Sequence, residues 1–118
     1  MGKSARRVVV TGMGVVSPFG VGVDLFWDNL VKGNSGIKPI SLIDLSRHEV
    51  RFGGEFTDFS PEQYLDKKEA KRMDRFTQFA MVAAQEAWKD SGLDMSKIDP
   101  TRVGVIFGSA SGGMDTIE

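Results

Sequence analysis

The sequence predicts an α/β fold, and the prediction depends on two similar apolar segments. Residues 7–11 and 102–107 are rich in valine and isoleucine, and each segment runs into a glycine-rich stretch. A continuous apolar run is typical of a strand that is covered on both faces. The chain between the two segments is mainly helical in pattern, so they are predicted as parallel strands joined by a right-handed crossover. Ligands in such sheets bind beyond the carboxyl ends of the strands, where both glycine stretches would lie.

Composition narrows the class of protein. The chain has 118 residues, 41% of them hydrophobic and 26% charged, with a formal net charge of -1. These values fit one globular domain and exclude the overall basicity of many nucleic-acid-binding proteins. The absence of cysteine excludes disulfides, thiolate metal sites and a cysteine nucleophile within these residues, and the single histidine is His48. The N-terminus has no apolar run of signal-peptide length, so a cytoplasmic protein without a transmembrane segment is expected.

The first glycine stretch only partly matches a dinucleotide-binding loop. Gly12 and Gly14 fit the first two positions of G-x-G-x-x-G, but Ser17 stands at the third. Pro18 then interrupts the segment, and a helix becomes credible only near Asp24. A tight turn with close backbone packing is therefore the favoured interpretation.

The second glycine stretch, GSASGG at 108–113, lacks the lysine of a P-loop. Its small residues fit either a flexible connection or a place where a subunit or an elongated ligand approaches the backbone closely. The sequence pattern alone leaves both interpretations open.

A short helix is predicted over 25–32. Asp24 can cap its N-terminus and Gly33 can end it. Phe26 and Trp27 fit a buried stripe better than a cofactor site. No regular pattern follows over 41–49, where irregular structure or one short helical turn is expected. Residues 51–56 then predict a short strand that contains a bulge at its two glycines.

The strongest helix signal begins at Ser60, which precedes a proline at the first helical position and a glutamine at the third. The region 64–91 is predicted as one long helix or as two helices with a break near Asp66. Its second part repeats apolar residues every three or four positions and is predicted to be well buried. Ser91 and Gly92 are expected to end it.

Basic residues recur at helical spacing in this region. Lys68, Lys71, Arg72 and Arg75 stand at i, i+3, i+4 and i+7, and Lys67 adds to them. On one helix they would share a face and keep a local positive field. This face is either simply solvated or a docking site for an acidic protein or a phosphate-bearing carrier. Nucleic acid is a weaker alternative because interleaved exposed aromatic residues are missing.

Taken together, four segments of the chain resemble the β-ketoacyl-acyl carrier protein synthases, and most closely the synthase II enzymes of type II fatty acid synthesis. In order and at matching spacing they are RRVVVTGMGVVSPFG, FWDNLVKGNSGI, KKEAKRMDRFTQFAMVAAQEAWKDSGL and RVGVIFGSASGG. The resemblance implies the N-terminal portion of a thiolase-like αβαβα fold, normally a homodimer. Residues 1–118 would be an incomplete part of the synthase domain.

The family's activity is a decarboxylating Claisen condensation between an acyl group held on a cysteine and malonyl held on acyl carrier protein. Two histidines assist it. The resemblance implies acyl carrier protein and malonyl and acyl thioesters as partners, and neither nucleic acid nor membrane. It implies no metal or nucleotide cofactor, because the carrier supplies the phosphopantetheine arm. The family's cysteine and histidines lie beyond this chain and His48 matches neither histidine, so no catalytic residue is expected here.

The resemblance also assigns binding residues. Lys68, Lys71 and Arg72 match the family's carrier-docking helix, while Ser111 with Gly112 matches the acyl pocket near the dimer interface. A small polar residue at 111 would leave a longer or altered pocket. Two alternatives remain: a non-catalytic truncated homologue that binds acyl carrier protein, and a ketosynthase domain of a polyketide synthase. The chain alone is predicted to be inactive and prone to self-association, since its strands would lack sheet neighbours.

Overall fold

The structure, a computed structural model, describes residues 5–113. Within them, three α-helices and two short antiparallel hairpins make up the main elements. In chain order these are β1 Val16–Ser17, β2 Gly20–Val21, α1 Val23–Val31, β3 Ile37–Pro39, β4 Phe52–Gly54, α2 Lys67–Ala70 and α3 Arg75–Ser91. Single 3-10 turns occur at Pro61–Gln63, Met95–Lys97 and Pro100–Arg102.

The two hairpins are regular. In the first, Val16 pairs with Val21 and Ser17 with Gly20. In the second, β3 pairs with β4 without an inserted residue. The predicted strand over 51–56 is therefore confirmed in place, but it is shorter than expected and its two glycines form no bulge.

Helix α1 confirms the helix predicted over 25–32 and begins two residues earlier. Asp24 lies in its first turn and does not cap it, since the N-cap residue is Gly22. Gly33 follows the helix with a φ of 70°, as a terminating glycine should. The prediction that Trp27 is buried is wrong, because its side chain is 61% exposed, whereas Phe26 is partly buried.

The helical region after Ser60 is interrupted. The expected start produces only the 3-10 turn Pro61–Gln63, and the Ser60 side chain makes no capping hydrogen bond. Helix α2 begins after Asp66, in agreement with the predicted alternative of two helices, and the Asp66 carboxylate accepts hydrogen bonds from the N–H groups of Lys68 and Glu69 at 2.8 and 3.2 Å. Helix α3 runs for 17 residues and ends at Gly92 in the left-handed region, as predicted.

The two segments predicted as parallel strands carry no strand in the described chain. Residues 7–11 are irregular, and 102–107 begin at the end of a 3-10 turn and continue without regular structure. Val8 is 92% exposed and Ile106 96%. A strand needs a hydrogen-bonded partner, and within residues 5–113 neither segment pairs with the other or with the hairpins.

Both glycine stretches nevertheless pack along α3. Gly12 lies against the backbone of Ala87, and Gly14 lies against that of Ala83. At the other end of the helix, Gly112 contacts the ring of Phe76. The first glycine stretch thus runs along α3 toward its N-terminal half, and the second glycine stretch ends beside that half.

The core lies beneath the N-terminal half of α3. Its members come from the loop before α2, from α2 and from α3, and partly buried apolar residues of the first hairpin pack against them. The buried set is Phe59, Leu65, Ala70 and Val82, and the flanking set is Val16, Val21, Phe56, Met73 and Phe79.

Candidate functional site

A cavity of about 870 Å³ lies between α3 and the loop 108–112. Phe76, Met81 and Ala84 line one side, and Phe107 and Ser111 line the other. Among the described residues, the side chains that line it are apolar apart from a few serine and threonine hydroxyls, and none of these is acidic or basic. The described wall is therefore suited to binding an apolar ligand and contributes no acid or base for catalysis.

Tight turns shape the loop on the far side of the cavity. The Ser109 hydroxyl accepts a hydrogen bond from the N–H of Gly112 at 3.1 Å. Gly112 has a φ of 65°, which favours glycine. A methyl group on Gly113 would collide with the carboxylate of Asp74. The predicted pocket residues Ser111 and Gly112 both lie in the cavity wall, and their role in binding stays a prediction.

The basic residues do not form a single helix face. Helix α2 ends at Ala70, so Lys71 and Arg72 lie in the turn before α3. Lys68, Lys71 and Arg72 are all exposed. We call these three residues the basic surface. They lie on either side of the end of α2, and the prediction of four cations on one continuous helix is wrong.

Arg75 belongs to the packed interior of this region and not to the basic surface. Its guanidinium carbon lies 5.5 Å from the ring centre of Phe59 and 5.1 Å from that of Phe79. Its guanidinium also donates a hydrogen bond to the backbone carbonyl of Phe56. These cation–π contacts hold the Arg75 side chain against the rings of Phe59 and Phe79. Lys67 is likewise paired, with Glu62 at 3.3 Å.

The turn that carries Lys71 and Arg72 is held from beneath by Gln78. The side-chain nitrogen of Gln78 donates to the carbonyl oxygens of Ala70 at 2.9 Å and of Met73 at 3.1 Å. Sequence reasoning missed this residue, because a glutamine within an amphipathic helix carries no local signal of a distant partner.

Two carboxylates also escaped prediction. Glu86 on α3 accepts hydrogen bonds from the N–H groups of Val15 and Val23, which fixes the first hairpin and the start of α1. Glu55, only 8% exposed, accepts from the backbone and hydroxyl of Ser41 and from the N–H of Leu42. Burial raises the pKa of Glu55, but these hydrogen bonds outweigh it and leave the pKa below its ordinary value.

His48 is exposed, and its backbone N–H donates to the carbonyl of Leu45. In the part of the chain that the structure describes, no three acidic, histidine or cysteine side chains are grouped closely enough to hold a metal ion. No helix among residues 5–113 is both long and apolar enough to cross a membrane.

The family model for the β-ketoacyl synthase N-terminal domain matches residues 5–118, and this chain belongs to that family. The family resemblance inferred from the sequence is thereby confirmed.

Curated relatives agree. The chain is 50% identical over 113 residues to 3-oxoacyl-[acyl-carrier-protein] synthase 2 of Staphylococcus aureus (strain COL), covering 96% of this chain and 27% of that protein. It is 44% identical over 113 residues to the protein of the same name from Synechocystis, with the same coverage. The chain therefore spans about a quarter of the length of these relatives.

Solved structures agree as well. The ishigamide ketosynthase/chain length factor matches with a TM-score of 0.71 and 35% identity, over 80% of this chain and 24% of that one. A β-ketoacyl synthase from Burkholderia phymatum matches with a TM-score of 0.60 and 25% identity, over 79% and 23%. A type II polyketide ketosynthase described in complex with its acyl-carrier protein, AntDE:AntF, matches with a TM-score of 0.57 and 26% identity, over 78% and 24%. The predicted α/β, thiolase-like fold class is confirmed.

Proposed function

We propose that this chain is the N-terminal part of a 3-oxoacyl-acyl carrier protein synthase that elongates fatty acids. The observation that carries the proposal is the 50% identity over 96% of the chain to a relative of that name. Because the chain spans 27% of that relative, the activity is assigned to the full-length enzyme. Residues 1–118 are then an incomplete part of the synthase domain.

The reaction proposed for the full-length enzyme is a decarboxylating Claisen condensation. A cysteine thiolate takes the acyl group from one carrier, malonyl on a second carrier loses CO₂, and the resulting carbanion attacks the acyl thioester and expels the thiolate. This chain contains no cysteine, and its one histidine, His48, lies on an exposed loop. The catalytic cysteine and both histidines are therefore assigned to the rest of the enzyme, and this chain contributes binding surfaces.

Acyl carrier protein is the proposed partner, with the basic surface as its docking site. Lys68, Lys71 and Arg72 are exposed, and three neighbouring cations favour an acidic partner by charge complementarity. A ketosynthase bound to its acyl-carrier protein is among the matching structures. The carrier would supply the phosphopantetheine arm, so no metal or nucleotide cofactor is proposed.

The apolar cavity is the proposed start of the acyl pocket. Ser111 and Gly112 lie in its wall, opposite Phe76. An acyl chain entering here would gain mainly from apolar burial. We further propose a cytoplasmic homodimer, with malonyl and acyl thioesters as substrates and with no role for nucleic acid or membrane.

Polyketide synthesis is the second candidate. One matching structure is a type II polyketide ketosynthase, and another is a ketosynthase/chain length factor. Their identities of 35% and 26% are lower than the 50% to the fatty acid relative, which favours fatty acid elongation. The two activities differ in product. A fatty acid synthase of this class releases a 3-oxoacyl carrier after one condensation, whereas a polyketide enzyme repeats the condensation on the unreduced product.

The test uses the full-length enzyme with acyl and malonyl carrier proteins, and follows CO₂ release and product mass. One condensation yielding 3-oxoacyl carrier is expected, and the 118-residue chain alone should yield none. Repeated condensation would transfer the assignment to polyketide synthesis. A complete reading frame that encodes neither cysteine nor further histidines would instead favour a non-catalytic carrier-binding protein.

Docking has its own test. Lys68→Glu, Lys71→Glu and Arg72→Glu should each weaken carrier binding and reduce its dependence on salt, because each removes a long-range attraction. Lys89→Glu, an exposed residue at the far end of α3, makes the same charge change and is the control. Equal affinity for all four variants and the unchanged enzyme would contradict docking at the basic surface.

A further inference from the structure

Two of the three cations of the basic surface, Lys71 and Arg72, are carried by a turn and not by a helix. Lys71 is the C-cap residue of α2, and Arg72 follows it before α3 begins. The N–H of Arg72 donates to the carbonyl of Glu69 at 2.9 Å, and the N–H of Met73 donates to that of Ala70 at 3.2 Å. The backbone after Met73 has no continuing helical ladder to hold it, since α3 starts only at Arg75. The direction of the two cations therefore depends on how this turn is fastened.

One side chain fastens the turn at both ends. The carbonyls of Ala70 and Met73 flank Lys71 and Arg72 in the chain, and both accept hydrogen bonds from the amide nitrogen of Gln78 at 2.9 and 3.1 Å. An amide nitrogen has two hydrogens, so it can serve both carbonyls at once. Gln78 is itself fixed, because its backbone N–H donates to the carbonyl of Asp74 at 3.0 Å in the first turn of α3.

The geometry assigns Gln78 as a positioning residue for carrier docking, an inference that rests on the proposed function. Its amide holds Ala70 and Met73, and this sets where Lys71 and Arg72 project. Gln78 is half-buried and Ala70 is 3% exposed, so the amide acts from inside the protein and not by touching the partner. Lysine and arginine side chains lose much rotamer freedom on binding, and a fixed backbone limits the further ordering that docking requires.

The test compares Gln78→Met with Gln85→Met in the full-length enzyme. Both changes remove a glutamine amide from α3 and keep an unbranched side chain, but Gln85 is exposed. Binding of acyl carrier protein is measured directly. Steady-state kinetics are measured with both the acyl and the malonyl group on carrier protein, and again with both groups on short pantetheine thioesters that have no carrier.

Gln78→Met is expected to weaken carrier binding about fivefold, which is the effect of having to order about one more side chain on docking. KM should rise for the carrier-bound thioesters alone, with kcat and the kinetics of the pantetheine thioesters unchanged. Gln85→Met should leave all of these at their original values. If Gln78 had only a structural role, its substitution would instead change the kinetics with carrier-bound and pantetheine thioesters to the same extent.

Three results would overturn the proposal. In the first, Lys71→Glu weakens carrier binding but Gln78→Met does not, which leaves docking intact and removes the role of Gln78. In the second, neither change weakens binding, which removes the proposed docking surface itself. In the third, Gln78→Met and a second variant, Gln78→Glu, both fail to fold or lower turnover of carrier-bound and pantetheine thioesters equally, which would make Gln78 a core residue only.

Discussion

The carboxylate of Glu86 accepts a hydrogen bond from the backbone N–H of Val15 at 2.8 Å, across 71 residues of sequence. Its other oxygen accepts from the N–H of Val23 at 2.9 Å. One side chain on α3 thus fixes the entry to the first hairpin and the first turn of α1. In the same region, Asp90 accepts from the N–H of Met13 at 2.9 Å. Carboxylates of α3 therefore anchor the N-terminal part of the chain along the helix.

Glu86→Ala should destabilise the full-length enzyme by about 2 kcal/mol or more, because two partly buried N–H groups lose a charged acceptor. Urea denaturation and thermal melting measure the effect. Gln85→Ala, at the exposed neighbouring position, is the control and should change stability by less than about 0.5 kcal/mol. A Glu86→Ala enzyme as stable as this control would contradict the anchoring role.

Gly14→Ala should also destabilise the enzyme, by at least about 2 kcal/mol, since the added methyl group meets the backbone carbonyl of Ala83. Backbone on both sides leaves little room for adjustment. Met13→Ala changes the exposed side chain next to it and serves as the control. Similar melting temperatures for the two variants would show that Gly14 is not in close contact with α3.

Acid should weaken the two 3-10 turns after α3. The pKa of Asp94 lies below its ordinary 3.8, mainly because the carboxylate accepts a hydrogen bond from the Ser96 side chain. The pKa of Asp99 is lowered in the same way by a hydrogen bond from the Thr101 side chain. A carboxyl whose pKa is lower when folded stabilises the fold above the unfolded pKa, and this contribution is lost as pH falls through the folded value. Stability from these turns should therefore be constant above about pH 5 and decline below about pH 4.

Carboxyl titration by NMR checks this directly. Ser96→Ala should raise the pKa of Asp94 toward 3.8 and leave that of Asp99 in place. Thr101→Val should raise the pKa of Asp99 toward its ordinary value and leave that of Asp94 in place. If either substitution moved both pKa values equally, the local hydrogen bonds would not be the cause.

Ser111→Phe should shift the full-length enzyme toward shorter acyl chains, because the ring would occupy the cavity that Ser111 lines. The ratio of kcat/KM for a long acyl carrier over a short one should fall by about tenfold or more. Ser111→Ala removes the hydroxyl without filling the cavity, and its ratio should stay unchanged. An unaltered preference in the phenylalanine variant would place the acyl pocket elsewhere.

The isolated 118-residue chain should self-associate. Val8 is 92% exposed and Ile106 96%, and both lie in apolar segments without strand partners among the described residues. Sedimentation should show oligomers, and Ile106→Lys should reduce them. Ile43→Lys, at a 60% exposed isoleucine in the irregular region, is the control. A monomeric chain that melts cooperatively would contradict the expectation.

Local patterns predicted α1 and α3, but not the 3-10 turn that follows Ser60 or the interruption at 71–74. Helix α3 with its terminal Gly92 and helix α1 with Gly33 follow from signals within a few residues, whereas the break near Asp66 was one of two alternatives that the sequence left open. The family was also accessible from the sequence, because four ordered segments are far more specific than one glycine motif. Lys68, Lys71, Arg72, Ser111 and Gly112 were named through that resemblance, and their roles remain predictions.

Tertiary structure decided the rest, for a physical reason. A helix satisfies its hydrogen bonds within four residues, so periodicity and capping residues specify it locally. The contacts that fasten the site join distant positions, as Glu86 does with Val15 and Arg75 with Phe59. A strand depends entirely on hydrogen bonds to a partner strand that can be distant in sequence. The apolar composition of 7–11 therefore predicts a strand but does not specify a partner for it. The sequence by itself determined α1, α3 and the family, and only the folded chain decided where α2 ends and which side chains hold the basic surface and the cavity in place.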